Sequence, residues 1–216
     1  MENHTALGAT DIVLFKQKSE AILSGRLKEF LSFLKFKKVP IPILFSYLDQ
    51  SPELITTLTL KENILLEANY NRIGKERYVD LDKIIQETQN LELKALYREL
   101  GNTELNSTAI GPNKKKLVQI CHLLIRKVPY LFLDNPEKHL EESQLSQLIN
   151  AVKFKVLAEG VTVLLSTARE DLWSTHITAI VSRGDKNKFI VRPKVPKILT
   201  ITEGITVCGP YKKMAV

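Results

Sequence analysis

The sequence predicts an α/β protein with a parallel sheet. Two short apolar runs, residues 130–133 and 161–165, are each followed at once by a polar residue. Such runs are typical of strands that are buried on both faces, as in parallel sheets. Between them, apolar residues recur at helical spacing from Leu140 to Val156, and Gly160 follows. This order of strand, helix and strand is that of an α/β domain.

Composition places the chain among ordinary globular proteins. It has 216 residues, of which 44% are hydrophobic and 25% charged, so residues 1–216 are predicted to form a single domain. No stretch approaches the roughly 20 apolar residues of a membrane span, and the first residues do not form a signal peptide. The two cysteines, Cys121 and Cys208, are isolated, which indicates a reducing compartment and no structural zinc.

The net charge of +7 allows nucleic acid or an anionic membrane as a partner. Lysines cluster at residues 35–38, 114–116 and 212–213. Each cluster is better explained as a solvated face or loop than as a binding patch. Aromatic residues are not interleaved with them, as a stacking platform for bases would need, so a nucleic-acid partner is not favoured.

The candidate site begins at Asp134. This acid directly follows the apolar run 130–133, and open α/β sheets bind ligands at the carboxyl ends of their strands. In P-loop NTPases an aspartate in this position holds Mg²⁺ beside the phosphates. The alternative is an aspartate with a purely structural role after a core strand.

A phosphate-binding turn is predicted in outline only. Residues 11–15 and 21–23 favour strands, residues 24–25 a turn, and Leu27 begins helical spacing. A P-loop requires GxxxxGK[ST], whose glycines let backbone N–H groups surround phosphates and whose hydroxyl binds Mg²⁺. Here Leu27 replaces a glycine and Glu29 replaces the hydroxyl. A second partial match, at residues 69–76, is interpreted as accidental.

The remaining elements follow from periodicity and from turn residues. A strand is predicted at 40–47, helices at 60–67, 81–96 and 117–125, a polar loop at 101–116, strands at 177–181 and 189–191, and a terminal hairpin at 198–208.

Three segments resemble the nucleotide-binding domain of ABC transporters, most closely its exporter branch. Residues 46–67 resemble the glutamine-containing segment that opens the helical subdomain, residues 122–136 the Walker B strand, and residues 161–171 the strand that ends in the switch histidine. The resemblance covers roughly residues 11–191. It implies a P-loop NTPase-like ABC-type core with a parallel sheet, a helical subdomain at about 60–117 and a C-terminal β-hairpin.

Carried over residue by residue, the resemblance implies a vestigial site. Asp134 matches the acid associated with Mg²⁺, Gln50 the glutamine that senses Mg²⁺ and water, and Lys28 the P-loop lysine. Asn135 stands where the family has the glutamate that activates water, and an amide cannot act as a general base at neutral pH. Ala168 stands in place of the switch histidine.

The signature LSGGQ is also missing, since the corresponding region reads AIGPNKKK and retains only Gly111. We therefore expect a catalytically inactive, cytoplasmic scaffold or docking subunit at the inner face of a membrane. Its expected partners are a membrane subunit or another ABC-type subunit, with a homodimer also allowed. No cofactor is expected, although weak Mg-ATP binding remains open. The alternatives are a divergent ATPase, supported by Asp134 and Lys28, and a nucleic-acid module on the same frame.

Overall fold

The computed structural model describes residues 11–16, 26–66, 80–183 and 189–194. The strands within these ranges are β1 (Ile12–Phe15), β2 (Phe45–Leu48), β3 (Tyr130–Asp134), β4 (Thr162–Ser166), β5 (Ala179–Arg183) and β6 (Phe189–Pro193). They form one sheet in the order β2-β3-β4-β1-β5-β6. All neighbours are parallel except β5 and β6, which pair antiparallel. The predicted α/β fold with a mostly parallel sheet is therefore confirmed.

Four buried leucines mark one level of this sheet. Leu48 lies beside Leu133, Leu133 beside Leu165, and Leu165 beside Leu14. Since these strands are parallel, the residues that follow this level all reach the same edge of the sheet. Asp134 and the turn after β2 consequently meet at the carboxyl edge.

Helices cover both faces of the sheet. They are α1 (Arg26–Phe36), α2 (Leu60–Ile64), α3 (Leu81–Glu87), α4 (Leu91–Leu100), α5 (Pro112–Ile125), α6 (Glu142–Glu159) and α7 (Glu170–Trp173), with a 3₁₀ turn at Ser107–Ala109. Leu131 and Leu133 pack into the larger core with α4, α5 and α6, whereas Phe132 points to the opposite face. There its ring lies 5.3 Å from that of Phe30 on α1. Because successive side chains of β3 point to opposite faces of the sheet, this one strand contributes to both hydrophobic cores.

The strand predicted at 40–47 and the helical surface predicted at 81–96 differ from the structure in extent. The strand predicted at 40–47 begins only at Phe45, because Pro40 and Pro42 have no N–H for a sheet ladder. The helical surface predicted from Leu81 is divided into α3 and α4, because Oδ1 of Asn90 accepts a hydrogen bond from the N–H of Leu93 and starts a new helix.

The loop predicted at 101–116 is wrong in its last part. Helix α5 begins at Pro112, whose fixed φ suits the first position of a helix. Lys116 consequently faces the protein interior and is fully buried. The interpretation of this lysine cluster as a solvated face therefore does not hold for Lys116.

Several predictions lie outside the described residues: the strand at 21–23, the turn at 24–25, the second loop match at 69–76, the hairpin at 198–208 and the basic pair at 212–213. Within the described ranges, none of the helices combines the length and the apolar character that crossing a bilayer requires.

Candidate functional site

Asp134 ends β3 in a buried position with both carboxylate oxygens in use. The hydroxyl of Tyr47 donates to Oδ2 at 3.3 Å, and Nδ2 of Asn135 donates to Oδ1 at 3.1 Å. Tyr47 reaches the acid because β2 and β3 are parallel neighbours and Tyr47 pairs with Phe132. Asp134 itself is 3% exposed, so protein groups supply its solvation.

Asn135 connects the end of β3 to the turn after β2. Its φ is +40°, close to the left-handed region that asparagine tolerates better than most residues. Its N–H donates to the carbonyl of Ser166 at 2.7 Å, and its Nδ2 also donates to Oε1 of Gln50 at 3.0 Å. The structure thus brings the predicted residues Gln50, Asp134 and Asn135 together.

Two buried cations, Arg26 and Lys116, lie close enough to Asp134 for their charges to lower its pKa. Burial raises the pKa of Asp134, and the charge of Arg26 and the hydrogen bond from Tyr47 oppose that rise. Arg26 lies in the first turn of α1 and also pairs with Glu29, with Nη1 to Oε2 at 3.2 Å. Groups of the chain itself thus offset part of the cost of burying this negative charge.

Lys116 is the more buried of these cations. Its Nζ donates to the main-chain carbonyl of Asp49 at 2.5 Å. Burial lowers the pKa of Lys116 to about 8, while the carboxylates of Asp49, Glu137 and Asp134 act in the opposite direction. The ammonium thus lies among three acids at the carboxyl edge of the sheet.

Ala168 contributes its backbone to the site. Its N–H donates to Oε1 of Glu137 at 2.8 Å, and the hydroxyl of Thr167 donates to the same oxygen at 2.9 Å. The methyl group of Ala168 carries no proton-transfer chemistry. Glu137 therefore links the end of β4 to the segment that follows Asp134.

Lys28 is the predicted site residue that the structure does not bring to Asp134. Its side chain is exposed on α1, and among the described residues no hydrogen bond or ion pair joins it to the other site residues. Arg26, two positions earlier, supplies the nearby charge instead.

Comparison with known proteins identifies ATP-binding relatives. No protein-family model matches the chain. The xylose import ATP-binding protein XylG of Thermoanaerobacter pseudethanolicus is 29% identical over 147 residues, which are 68% of this chain and 27% of that protein. The L-arabinose transport ATP-binding protein AraG of Geobacillus stearothermophilus is 25% identical over 146 residues, or 68% of this chain and 26% of that protein. The chain thus spans about a quarter of the length of these relatives.

Solved structures agree on the fold. A dimeric ATP-binding cassette in a post-hydrolysis state with ADP and Pi gives a TM-score of 0.61 at 15% identity, and the match covers 82% of each chain. The ATP-binding subunit of an ABC transporter gives 0.60 at 18% identity, with 80% of this chain and 74% of that chain covered. The chain has the fold of an ABC ATPase domain. The family resemblance predicted from the sequence is confirmed, whereas the exporter-like assignment stays a prediction.

An ABC ATPase fold implies Mg-ATP, and the described residues do not fit its Mg²⁺ ion. Both oxygens of Asp134 accept hydrogen bonds from the protein, and the positive charges of Arg26 and Lys116 already favour its ionised form. Within the described residues, His, Cys, Asp and Glu side chains form no group of three that could hold a metal ion. Mg²⁺ prefers several oxygen ligands in near-octahedral geometry, and at this edge the side-chain oxygens of Asp134 and Oε1 of Gln50 already accept hydrogen bonds from Tyr47 and Asn135.

Sequence reasoning missed Tyr47, Arg26, Lys116 and Glu137. The position of Tyr47, three residues before Gln50 on a predicted strand, could have indicated that its side chain reaches the same edge. Lys116 gave no such signal, because it faces the interior only as part of α5, and the sequence predicted that this helix begins after it. Glu137 follows Asp134 closely in sequence, and three-residue proximity to an acid is too common to be informative.

Proposed function

We propose that this ABC-type chain is a catalytically inactive subunit or domain that acts as a scaffold or docking element of a membrane transport or secretion complex. Its place in the cell is the cytoplasmic face of that membrane. Its partner is a membrane subunit, another ABC-type subunit, or both. ATP-binding relatives named for xylose import and L-arabinose transport support the transport context.

The observation that carries the proposal is the pair Asp134 and Asn135. The acid that would associate with Mg²⁺ is satisfied by Tyr47 and Asn135, and the next residue is an amide. An amide has no lone pair that can accept a proton from water at neutral pH. Loss of a general base typically lowers turnover by about 10²–10⁴-fold, and Ala168 adds no proton acceptor.

A docking surface is available beside the turn after β2. Ile55 and Leu105 are 47% and 38% exposed. Two hydrogen bonds hold their segments side by side. The hydroxyl of Ser107 donates to the carbonyl of Ile55, and the N–H of Leu60 donates to the carbonyl of Leu105. Exposed apolar side chains on a fixed backbone are suited to protein contacts.

Nucleotide binding tests the inactive site. We expect millimolar ATP, with or without Mg²⁺, to leave the melting temperature of the purified chain unchanged. A ligand at a hundred times its dissociation constant stabilises a fold by about 2.7 kcal/mol, so binding of even modest affinity is measurable. Mg²⁺-dependent ATP hydrolysis that disappears in Asp134→Ala would contradict the proposal.

Site-specific photo-cross-linking in native membranes tests the docking surface. A photoreactive residue at position 105 is expected to form an adduct with a membrane or ABC-type subunit. Position 157 is the control, because Leu157 is 69% exposed on α6. Equal adducts at both positions, or none at position 105, would rule out the assigned surface.

The alternative function is a divergent ABC ATPase with residual hydrolysis. Asp134 at the carboxyl end of β3 favours it, and its relatives are ATP-binding proteins. The same assay with Asp134→Ala distinguishes the two functions.

A further inference from the structure

The turn after β2, residues 49–55, is held by side chains from four parts of the fold: the segment after β3, α5, α2 and the 3₁₀ turn. From the segment after β3, Asn135 bonds to Gln50 at 3.0 Å and Nζ of Lys138 to Oγ of Ser51 at 3.0 Å. From α5, Lys116 donates a hydrogen bond to the carbonyl of Asp49, and Gln119 donates one to the carbonyl of Glu53 at 3.3 Å. Asn63 of α2 and Ser107 of the 3₁₀ turn both form hydrogen bonds with the backbone of Ile55. We call residues 49–55 the clamped turn.

Lys116 is the unusual member of this set. Lys116 is the fifth residue of α5 and is 0% exposed. A buried ammonium requires compensation by nearby acceptors and negative charge. Here the carbonyl of Asp49 accepts a hydrogen bond from Nζ of Lys116, and Oε2 of Glu137 is a buried oxygen with no hydrogen-bond partner among the described residues.

A second buried lysine, Lys155, provides a comparison. It is 1% exposed, and its Nζ donates to the carbonyl of Arg126 at 2.8 Å and to Oε2 of Glu159 at 2.6 Å. Lys155 thus joins the last turns of α6 to the segment after α5, and pairs with a single acid on its own helix. Lys116 instead connects α5 to a turn of the sheet edge at which Asp134 lies.

We infer that Lys116 is a positioning residue, a built-in cation that holds the clamped turn in one conformation without a nucleotide or a metal ion. This inference rests on the proposed function, because it explains how a docking surface next to Ile55 stays formed when the site binds no Mg-ATP. The cation that an ABC-type site would take from solution is then supplied by the chain itself. Ile55 therefore keeps the same position and exposure at any nucleotide concentration.

Hydrogen exchange with mass spectrometry on the full chain tests this inference. Peptides that span residues 49–55 are compared in the wild type, in Lys116→Met and in the matched control Lys155→Met. We expect exchange in the clamped turn to accelerate about tenfold or more in Lys116→Met only. In Lys155→Met the acceleration is expected near Arg126 and Glu159 instead. The wild-type turn is expected to exchange at the same rate with and without millimolar Mg-ATP.

Three results would overturn the inference: no local change in Lys116→Met, an equal change at residues 49–55 in both variants, or slower wild-type exchange of this turn in Mg-ATP. If Lys116→Met does not fold, Lys116→Gln replaces it, because glutamine keeps a hydrogen-bond donor without the positive charge. The same three results would then overturn the inference. The failure of the proposed function is distinguishable, because it appears as ATP hydrolysis by the wild type. Hydrolysis together with a Lys116-dependent turn would overturn the inactive site and leave the positioning role in place.

Discussion

The hydroxyl of Tyr47 donates a hydrogen bond of 3.3 Å to Oδ2 of Asp134, across the two neighbouring strands β2 and β3. This contact joins residues 87 positions apart. It places a phenol against the carboxylate that the family resemblance associates with Mg²⁺. Burial and the charge of Asp134 in turn raise the pKa of Tyr47, so the phenol stays protonated and remains a donor at neutral pH.

Tyr47→Phe should remove this bond and keep the ring. Because the acceptor is a buried carboxylate, we expect the free energy of unfolding to fall by roughly 2 kcal/mol. The pKa of Asp134 should rise further, since the hydrogen bond lowers it. Urea denaturation at neutral pH measures the first effect. Tyr97→Phe is the matched control, because Tyr97 bonds to the exposed Asp82 at 2.8 Å; an equal loss in both variants would contradict the assigned role.

Asn135→Glu should destabilise the site without restoring catalysis. A carboxylate here would replace the amide that donates to Oδ1 of Asp134 and to Oε1 of Gln50. The new carboxylate would face the oxygens of Asp134 and Gln50 and repel the charge of Asp134, which should lower the free energy of unfolding by about 1–3 kcal/mol. Chemical denaturation and an ATPase assay measure the two effects, with Asn135→Ala as the control that adds no charge. A stable variant that hydrolyses ATP would show that the glutamate alone was missing.

Lys116 should give stability a distinctive pH dependence. Burial holds its pKa at about 8 in the fold, against 10.5 ordinarily. Between these values the unfolded chain binds more protons at this lysine than the folded protein does, so its contribution to the free energy of unfolding rises with pH. The gain is on the order of 3 kcal/mol at most. Urea denaturation at pH 7.5 and pH 10 should show it in the wild type relative to Lys116→Met, and parallel changes in both proteins would disprove it.

Asn63→Asp should weaken the segment that carries Ile55. The amide Nδ2 of Asn63 donates to the carbonyls of Ile55, Leu58 and Thr59, while Oδ1 accepts from the N–H of Ile55. An aspartate would present a buried carboxylate to three carbonyls, which should cost about 3 kcal/mol. Thermal unfolding measures this cost. Asn102→Asp is the control, since Asn102 is exposed and uses only its acceptor.

Cys121 should be protected from thiol reagents in the native state. The side chain is fully buried, and burial raises the pKa of Cys121 to about 12. The thiolate is the reactive form, so alkylation at pH 8 should be at least about a hundredfold slower in the folded than in the unfolded protein. A Cys208→Ser variant leaves Cys121 as the one cysteine to follow by mass spectrometry. Rapid native alkylation would mean that α5 opens readily.

Local sequence patterns predicted the sheet and most helices because each depends on periodicity. The apolar run before Asp134 and the run 161–165 both form buried strands, and Gly160 ends α6 with a φ of +68°. The boundary at Pro112 was missed because the polar residues 113–116 resemble a loop when read alone. Their helical state depends on the packing of α5 against the core.

By itself the sequence determined the fold class, the family resemblance and the three residues that meet at the sheet edge, Gln50, Asp134 and Asn135. Residue type and alternation carry the fold class and the position of Asp134 locally, whereas Gln50 and Asn135 followed from the family resemblance. Only the tertiary structure decided that Tyr47 and Lys116 join them and that Lys28 does not. Which charges approach a buried acid depends on the register of neighbouring strands and on the direction in which a helix turns its side chains, and both are set by long-range packing.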